Sequence, residues 1–312
     1  MTMVQLRVLD NSKLTQLENT LGKAYFKCSS GLLYKMDCLE FLKNINSNSI
    51  KMIFADPPYN IGKAEWDKWN SMDDYLQWCK NWISEAYRIL EDEGTLMIMG
   101  FSEVLAYVQV ISANNFPFCR WLIWHYKNKP NLSDKDWVRS HEAILLLRKS
   151  KNFYYDNSRI REPYNFHTKK YPVRSQGLSS QYGSINGDEK SLWEPNGTGA
   201  KPKDVLEIPA VNNPSKENLP FPTQKPEELM RKLILSATAD NDIVLDPFGG
   251  SGSTYAAAHQ LHRYWLGLEI NDHYCELISK RLNELEENPK PPDYWLNLDT
   301  KRRMHRDKVR YG

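Results

Sequence analysis

The sequence predicts an α/β fold: a mostly parallel central sheet with helices on both faces, broken by one long irregular insert. Three observations carry this. Apolar runs of strand length alternate with longer stretches of helical periodicity. Two of these runs end in acid-bearing turns, Asp56-Pro57-Pro58-Tyr59-Asn60 and Asp246-Pro247-Phe248-Gly249-Gly250. Between them, from about 127 to 220, the rhythm fails and Gly, Pro, Asn, Ser and Lys dominate. A loop that long inside a compact fold is usually functional.

The elements follow in order. Residues 1–31 read as an N-terminal extension with a short helix near Ser12–Leu21, and α/β character begins at Leu32. Lys51-Met52-Ile53-Phe54-Ala55 is a buried strand stopped by Asp-Pro-Pro. From Asp73 to Leu90, Tyr75, Leu76, Trp82, Ile83, Ala86, Ile89 and Leu90 fall at helical spacing, with Gly94 as the stop. Strand 95–100, helix 103–114 and strand-like runs at 120–125 and 143–147 follow. Order resumes with helix 226–237, strand 243–246, a Gly-rich turn, a helix from about Thr254, strand 264–268 and a helix capped by Asn271. Five segments result: the extension, a first half at 32–126, the insert at 127–220, a second half at 221–288 and a basic tail at 289–312.

Composition excludes several classes. With 41% hydrophobic and 26% charged residues in 312, the chain resembles an ordinary globular protein. No run reaches membrane-spanning length, and Met1-Thr2-Met3-Val4-Gln5 lacks a signal-peptide pattern, so a cytoplasmic location is expected. The five cysteines are scattered with no CxxC pair, which suggests neither a disulfide framework nor a metal site. Net charge is only +2, but 125–203 holds 15 Lys and Arg against 8 Asp and Glu, hence +7, leaving −5 elsewhere. That asymmetry suits a region facing a polyanion, although a solvated loop with excess Lys and Arg would look the same.

The first motif, Asp56-Pro57-Pro58-Tyr59-Asn60, follows a buried strand, and ligands of open α/β sheets bind outside strand carboxyl ends. Two prolines stiffen the backbone and remove donors, leaving carbonyls free to accept. The Asp56 carboxylate and Pro57 carbonyl can thus both receive protons from an NH2 group, while Tyr59 offers a face for a base. An ordinary strand-ending turn is the bland alternative.

The second motif runs from Asp246 to Thr254, again between a strand and a helix. Its glycines admit positive φ and close approach of a ligand to the backbone. No Lys-Ser or Lys-Thr follows them, so a phosphate loop is excluded, and the spacing misses GxGxxG. About twenty residues on, Glu269 ends the next strand, where an acid can bind ribose hydroxyls. Gly loop and acid together specify an adenosyl-type ligand.

Together these residues resemble the amino-group DNA methyltransferases, with [D/N/S]PP[Y/F/W] at Asp56–Tyr59 and FxGxG at Phe248–Gly252. Pro222-Thr223-Gln224-Lys225-Pro226 is similar to the family's (H/F)PTQKP signature, with Phe221 in front, and Asp37-Cys38 matches a Gly-Asp-Cys element whose Gly is Met36 here. The motif order is that of the β subgroup, and the match spans about residues 32–288. The resemblance implies a Rossmann-like S-adenosylmethionine-dependent fold and methylation of adenine N6 in double-stranded DNA. It implies that Asp56, Pro57, Pro58 and Tyr59 are catalytic. It places the cofactor's methionine moiety near Phe248, Gly250, Ser251 and Gly252, its sulfonium end near Asp56, and Asp246 in the same loop. Glu269 would hold the ribose, Asp37 and Cys38 the adenine, and Thr223 with Lys225 the carboxylate side. Methylation at cytosine C5 would need a cysteine nucleophile, typically after Pro, and the chain contains no Pro-Cys.

The insert is then the target reader, with Lys127, Lys129, Arg139, Arg159, Arg161, Lys169, Lys170 and Arg174 as DNA contacts, and Lys135 and Arg148 as further candidates. Trp124 and Trp137 are the aromatics to test for filling the gap left by a flipped base; for any single aromatic a small core is the commoner role. Cytosine-N4 methylation, an RNA or protein methyltransferase and a non-catalytic DNA-binding module are the alternatives. A cognate restriction endonuclease and a homodimer stay open as partners.

Overall fold

The computed structural model describes residues 9–60, 67–128, 136–175, 192–213 and 215–290, with backbone alone at 174, 175 and 192. It divides into a large unit, Met1–Tyr155 with Asp204–Gly312, and a small unit, Asp156–Lys203.

In the large unit, α1 (Asn11–Leu21) precedes the antiparallel pair β1 (Phe26–Cys28) and β2 (Gly31–Lys35). Next come α2 (Cys38–Leu42), β3 (Ile50–Ala55), α3 (Met72–Ile89), β4 (Leu90–Gly100), α4 (Ser102–Ser112) and the antiparallel strands β5 (Phe118–His125) and β6 (His141–Arg148). The small unit holds a 3-10 turn (Ser158–Ile160), α5 (Phe166–Lys170), β7 (Arg174–Ser175) and β8 (Leu192–Trp193). Back in the large unit, β9 (Val205–Glu207), α6 (Glu227–Ala237), β10 (Ile243–Asp246), α7 (Ser253–Gln260), β11 (Tyr264–Glu269) and α8 (Asp272–Glu287) complete the chain.

The main sheet has nine strands in the order β1-β2-β11-β10-β3-β4-β6-β5-β9. From β2 to β4 every neighbouring pair is parallel, and β6 and β5 are added antiparallel. Successive side chains of a strand face opposite sides of a sheet. Ile53 and Ala55 of β3 accordingly join a core with Leu14, Phe41, Trp82 and Val104 of α1–α4. Met52 and Phe54 join another with Leu229, Tyr255 and Ile278 of α6–α8. Burial on both faces explains why these strands read as continuous apolar runs.

α3 shows how local sequence sets an element. Ser71 Oγ accepts the Asp74 amide at 3.1 Å, Asp73 and Asp74 sit in the first turn, and Arg88 in the last. Tyr75, Cys79, Trp82, Ile83, Ala86 and Ile89 form its buried stripe.

The topology also positions the site. β3 leads through α3 to β4 on one side, whereas β10 leads through α7 to β11 on the other, and β3 and β10 are paired. The connections diverge there, opening a crevice beyond the strand carboxyl ends. Both acid-bearing motifs stand at those two ends.

Three expectations are corrected. Gly94 is no helix stop: α3 ends at Ile89, and Gly94 lies inside β4, where a Cβ would come within 2.8 Å of Leu90 and of the Lys51 carbonyl. The segment 127–220 is not one insert, because β6 and β9 belong to the main sheet and the separate unit is 156–203. Trp124 is no wedge; it is 1% exposed, and its indole donates to the Ile208 carbonyl at 2.8 Å. No described helix is long and apolar enough to cross a membrane.

In the small unit, Glu162 and Ala200 exchange backbone hydrogen bonds of 3.0 and 2.7 Å, and Tyr164 meets Trp193 edge-on at 6.1 Å. Both rings are half-buried.

Candidate active site

A cavity of about 410 Å³ opens at the β3–β10 switch point, a volume that suits a nucleoside-sized ligand. Its walls come from the loops after β3 and β10, the end of β11, the start of α2 and the segment before α6.

Asp56 leaves β3 into this cavity, and both of its oxygens are engaged. The Tyr59 hydroxyl donates to Oδ1, and Lys225 Nζ donates to Oδ2 at 2.6 Å. Burial first, then the neighbouring Asp56 and Glu142 charges, hold the Tyr59 phenol well above its ordinary pKa, so it remains a donor. Its ring tilts against Phe101 with centroids 5.0 Å apart. Tyr75 donates to the Pro58 carbonyl at 2.9 Å, whereas no donor among the described residues reaches the Pro57 carbonyl. Asn60 has φ +56, which Asn tolerates well; its amide donates to Asp67 at 2.6 Å and its side-chain oxygen accepts from Trp69 N at 3.1 Å.

The second loop is held from below. Asp246 Oδ1 accepts the Phe248 amide at 3.0 Å, and Oδ2 accepts the Thr254 hydroxyl at 2.5 Å. Burial pushes the Asp246 carboxyl up to about 8. Gly250 has φ +53, and a Cβ there would lie 2.9 Å from the Phe221 ring. Its amide donates to Glu269 Oε2 at 2.9 Å. Glu269 Oε1 accepts the Ile270 and Asn271 amides, each at 2.9 Å.

Charge sorts the possible ligands. Asp37, Asp56, Asp67, Glu142 and Glu269 line the cavity beside the largely protonated Asp246, against a single described cation, Lys225. Such a wall repels phosphates and favours a cationic ligand such as a sulfonium.

A family model described as DNA methylase, of the N6/N4 methyltransferase type, matches residues 50–280. The chain belongs to that family of DNA methylases. It is similar to the Type II methyltransferase M2.MboI of Moraxella bovis, 31% identical over 81% of this chain and 88% of that one. M.HpaI of Haemophilus parainfluenzae is 33% identical over 79% and 72%, respectively. The DNA adenine methyltransferase YhdJ of Escherichia coli (strain K12) is 31% identical over 79% and 81%. The solved PvuII DNA methyltransferase (cytosine-N4-specific) shares the fold, with a TM-score of 0.62 at 17% identity over 87% and 92% of the two chains. The M1.HpyAVI–SAM complex does so at 0.54 and 24%, over 81% and 99%.

This methylase is an amino-group DNA methyltransferase of restriction-modification type, and S-adenosyl-L-methionine is its methyl donor. Asp56, Pro57, Pro58 and Tyr59 all line the cavity, as do Asp37, Cys38, Thr223, Lys225, Asp246, Phe248, Gly250, Ser251 and Glu269. Gly252 does not: with φ +71 it caps α7, and a Cβ there would lie 3.0 Å from Ile278, so this glycine serves the turn. Asp37 also caps α2, accepting the Leu39 amide at 2.9 Å. Burial, with Asp37 beside it, pushes the Cys38 thiol up to about 12, which leaves no thiolate for nucleophilic work. Lys225, expected at the cofactor's carboxylate, lines the cavity and donates to Asp56.

Sequence reading missed Trp78, Phe101, Glu142, Phe221 and Tyr274 in the cavity wall. Phe101 and Glu142 lie next to or within strands, where nothing local distinguishes a wall residue from a core residue.

The basic candidates separate. Arg139 pairs with Glu103 at 2.7 Å and lies over the Phe101 ring at 4.1 Å, and Lys127 pairs with Glu207 at 3.0 Å. Arg148 is structural: it lies 3.7 Å over Phe153, and burial, with Arg120 nearby, pushes its pKa down to about 10. In the small unit, Arg161 donates to the Gly199 carbonyl at 2.7 Å, while Arg159, Lys169 and Lys170 are exposed. Lys129, Lys135 and the Arg174 side chain lie outside the described residues.

Proposed function

We propose that this methylase acts on the N6 amino group of adenine in double-stranded DNA, at a defined sequence, with the target nucleotide flipped out of the helix. The observation that carries the chemistry is the Asp56 carboxylate set in an acid-lined cavity beside the Tyr59–Phe101 rings and a Pro57 carbonyl that no donor among the described residues reaches. A base amine inside a duplex is out of reach, so extrusion precedes reaction.

S-adenosyl-L-methionine, when bound, supplies an electrophilic methyl group on a sulfonium. The residues present fit it: Gly250 and Ser251 admit close approach, Glu269 offers carboxylate oxygens to the ribose, and the acidic wall offsets positive charge. Asp37 and Cys38 would border the adenine, and Thr223 the carboxylate end. Tyr59 stacks the flipped base, while Asp56 and the Pro57 carbonyl accept the two N–H groups. Accepting both hydrogens favours a pyramidal nitrogen with its lone pair free, and orientation supplies most of the rate. The proton released from nitrogen passes to Asp56 or water.

Adenine is favoured by an Asp-first motif followed by Asn60, and by likeness to an adenine methyltransferase. The structural likeness to a cytosine-N4 enzyme favours the second reading, cytosine N4. Digestion of DNA methylated in a methylation-free host, with mass analysis of nucleosides, separates them. N6-methyldeoxyadenosine is expected, and N4-methyldeoxycytidine would overturn the choice of base.

A further inference from the structure

Lys225 stands on a rigid mount. Gln224 Oε1 accepts the Leu219 amide at 2.8 Å, and Gln224 Nε2 donates to the Glu217 carbonyl at 2.5 Å. Ser253 Oγ donates to the Lys225 carbonyl at 2.7 Å, and Pro226 follows at once as the N-cap of α6. This accounts for Gln224, Lys225 and Pro226 as a unit: a brace, a delivered cation and a helix start.

The ammonium has three N–H donors. Two of them go to Asp56 Oδ2 at 2.6 Å and to the Thr223 carbonyl at 3.3 Å, and Glu142 Oε2 forms an ion pair with the group at 3.5 Å. Burial alone would lower the Lys225 pKa, but the Asp56 and Glu142 charges outweigh it and hold the group protonated. Glu142 comes from β6 and is 7% exposed, so its carboxyl group is held in place beside the ammonium.

We propose that Lys225, anchored by Glu142, is a positioning residue for methyl transfer: it grips Asp56 by Oδ2 and leaves Oδ1 as the edge that receives the amine. The proposal rests on the amino-methylation reading above. In the structure Oδ1 carries the Tyr59 hydroxyl, so the amine replaces that donor when the base arrives, while the Lys225 contact persists. Asp56 is faced by Lys225 from the segment before α6, Glu142 from β6, Asp246 from β10 and Tyr59 from its own loop. Lys225 is thus the counter-charge of Asp56 among these neighbours.

The test compares the parent, Lys225→Met and Glu142→Gln, each checked for folding by circular dichroism. S-adenosylmethionine affinity is measured by calorimetry, and kcat is measured as a function of pH on duplex DNA. For Lys225→Met we expect a fall in kcat of ~10²-fold, the scale of a misplaced reacting group, with cofactor affinity nearly unchanged. The acid limb of its kcat profile moves to higher pH, since the site loses its one described cation. In Glu142→Gln the ammonium belongs to Asp56 alone, so the limb moves to lower pH. Should Lys225→Met fail to fold, the Glu142→Gln profile decides, and an unshifted limb overturns the proposal. Loss of cofactor affinity with kcat intact in Lys225→Met also overturns it, assigning Lys225 to the cofactor's carboxylate. A parent protein that transfers no methyl to DNA overturns the underlying reading, and this proposal with it.

Discussion

The Glu269 carboxylate accepts the Gly250 amide at 2.9 Å and so ties the end of β11 to the glycine loop after β10. Its other oxygen takes the Ile270 and Asn271 amides. One side chain therefore shapes the loop and presents an acceptor to the cavity. Glu269→Ala is expected to cost about 1–3 kcal/mol of stability from the stranded amides and to weaken S-adenosylmethionine binding. Glu269→Gln keeps one acceptor oxygen, which can serve the Ile270 and Asn271 amides but not Gly250 as well, so it should restore part of the stability and not the affinity. Urea denaturation and calorimetry measure the two effects, and full affinity in Glu269→Gln would remove the ribose role.

Asp246 predicts a pH dependence of stability. Burial raises its folded pKa from the ordinary 3.8 to about 8. The folded state then holds a proton that the unfolded state releases. Its contribution is fully present below pH about 4 and is lost as pH rises through about 8. Asp246→Asn removes that titration, so its Tm should gain on the parent steadily between pH 5 and 8. A constant Tm difference across that range would show that Asp246 is ionised throughout.

Tyr59 is predicted to act through its ring. Its hydroxyl occupies Asp56 Oδ1, the atom offered to the amine. Tyr59→Phe should keep kcat/KM within a few-fold, whereas Tyr59→Ala should lose ~10–10²-fold, the worth of about 1–3 kcal/mol of base stacking. Equal losses in both would make the hydroxyl the working group.

Much of this site was legible because local chemistry marks it. Asp56 and Asp246 each end an apolar run at a turn no ordinary strand needs, and Gly250 requires its positive φ. What could not be read came from pairing at a distance. Gly94 looks like a helix stop in isolation, but register with β3 draws it into β4. Trp124 looks available in sequence, yet β9 and Ile208 close over it. Lys225 and Asp56 are 169 residues apart, and only the β10–β3 junction brings them together with Glu142 of β6. A resemblance supplies a residue's presence in a site more readily than its partner.

The small unit should carry part of the DNA affinity. Lys169 and Lys170 are exposed on α5. If both meet phosphates, Lys169→Ala with Lys170→Ala lowers the slope of log K against log salt by about 0.9 for each phosphate no longer neutralised. Base specificity should be unchanged, since phosphate contacts carry no sequence information. Fluorescence anisotropy across a salt series reads this directly, and an unchanged slope would exclude these two lysines from the interface.

The role of Asp56 in methyl transfer is tested most directly by Asp56→Ala, assayed for S-adenosylmethionine binding by calorimetry and for methylated nucleosides in duplex DNA by mass spectrometry. Cofactor binding should be retained and N6-methyldeoxyadenosine lost. Methylation continuing at the parent rate with the cofactor bound would contradict that role.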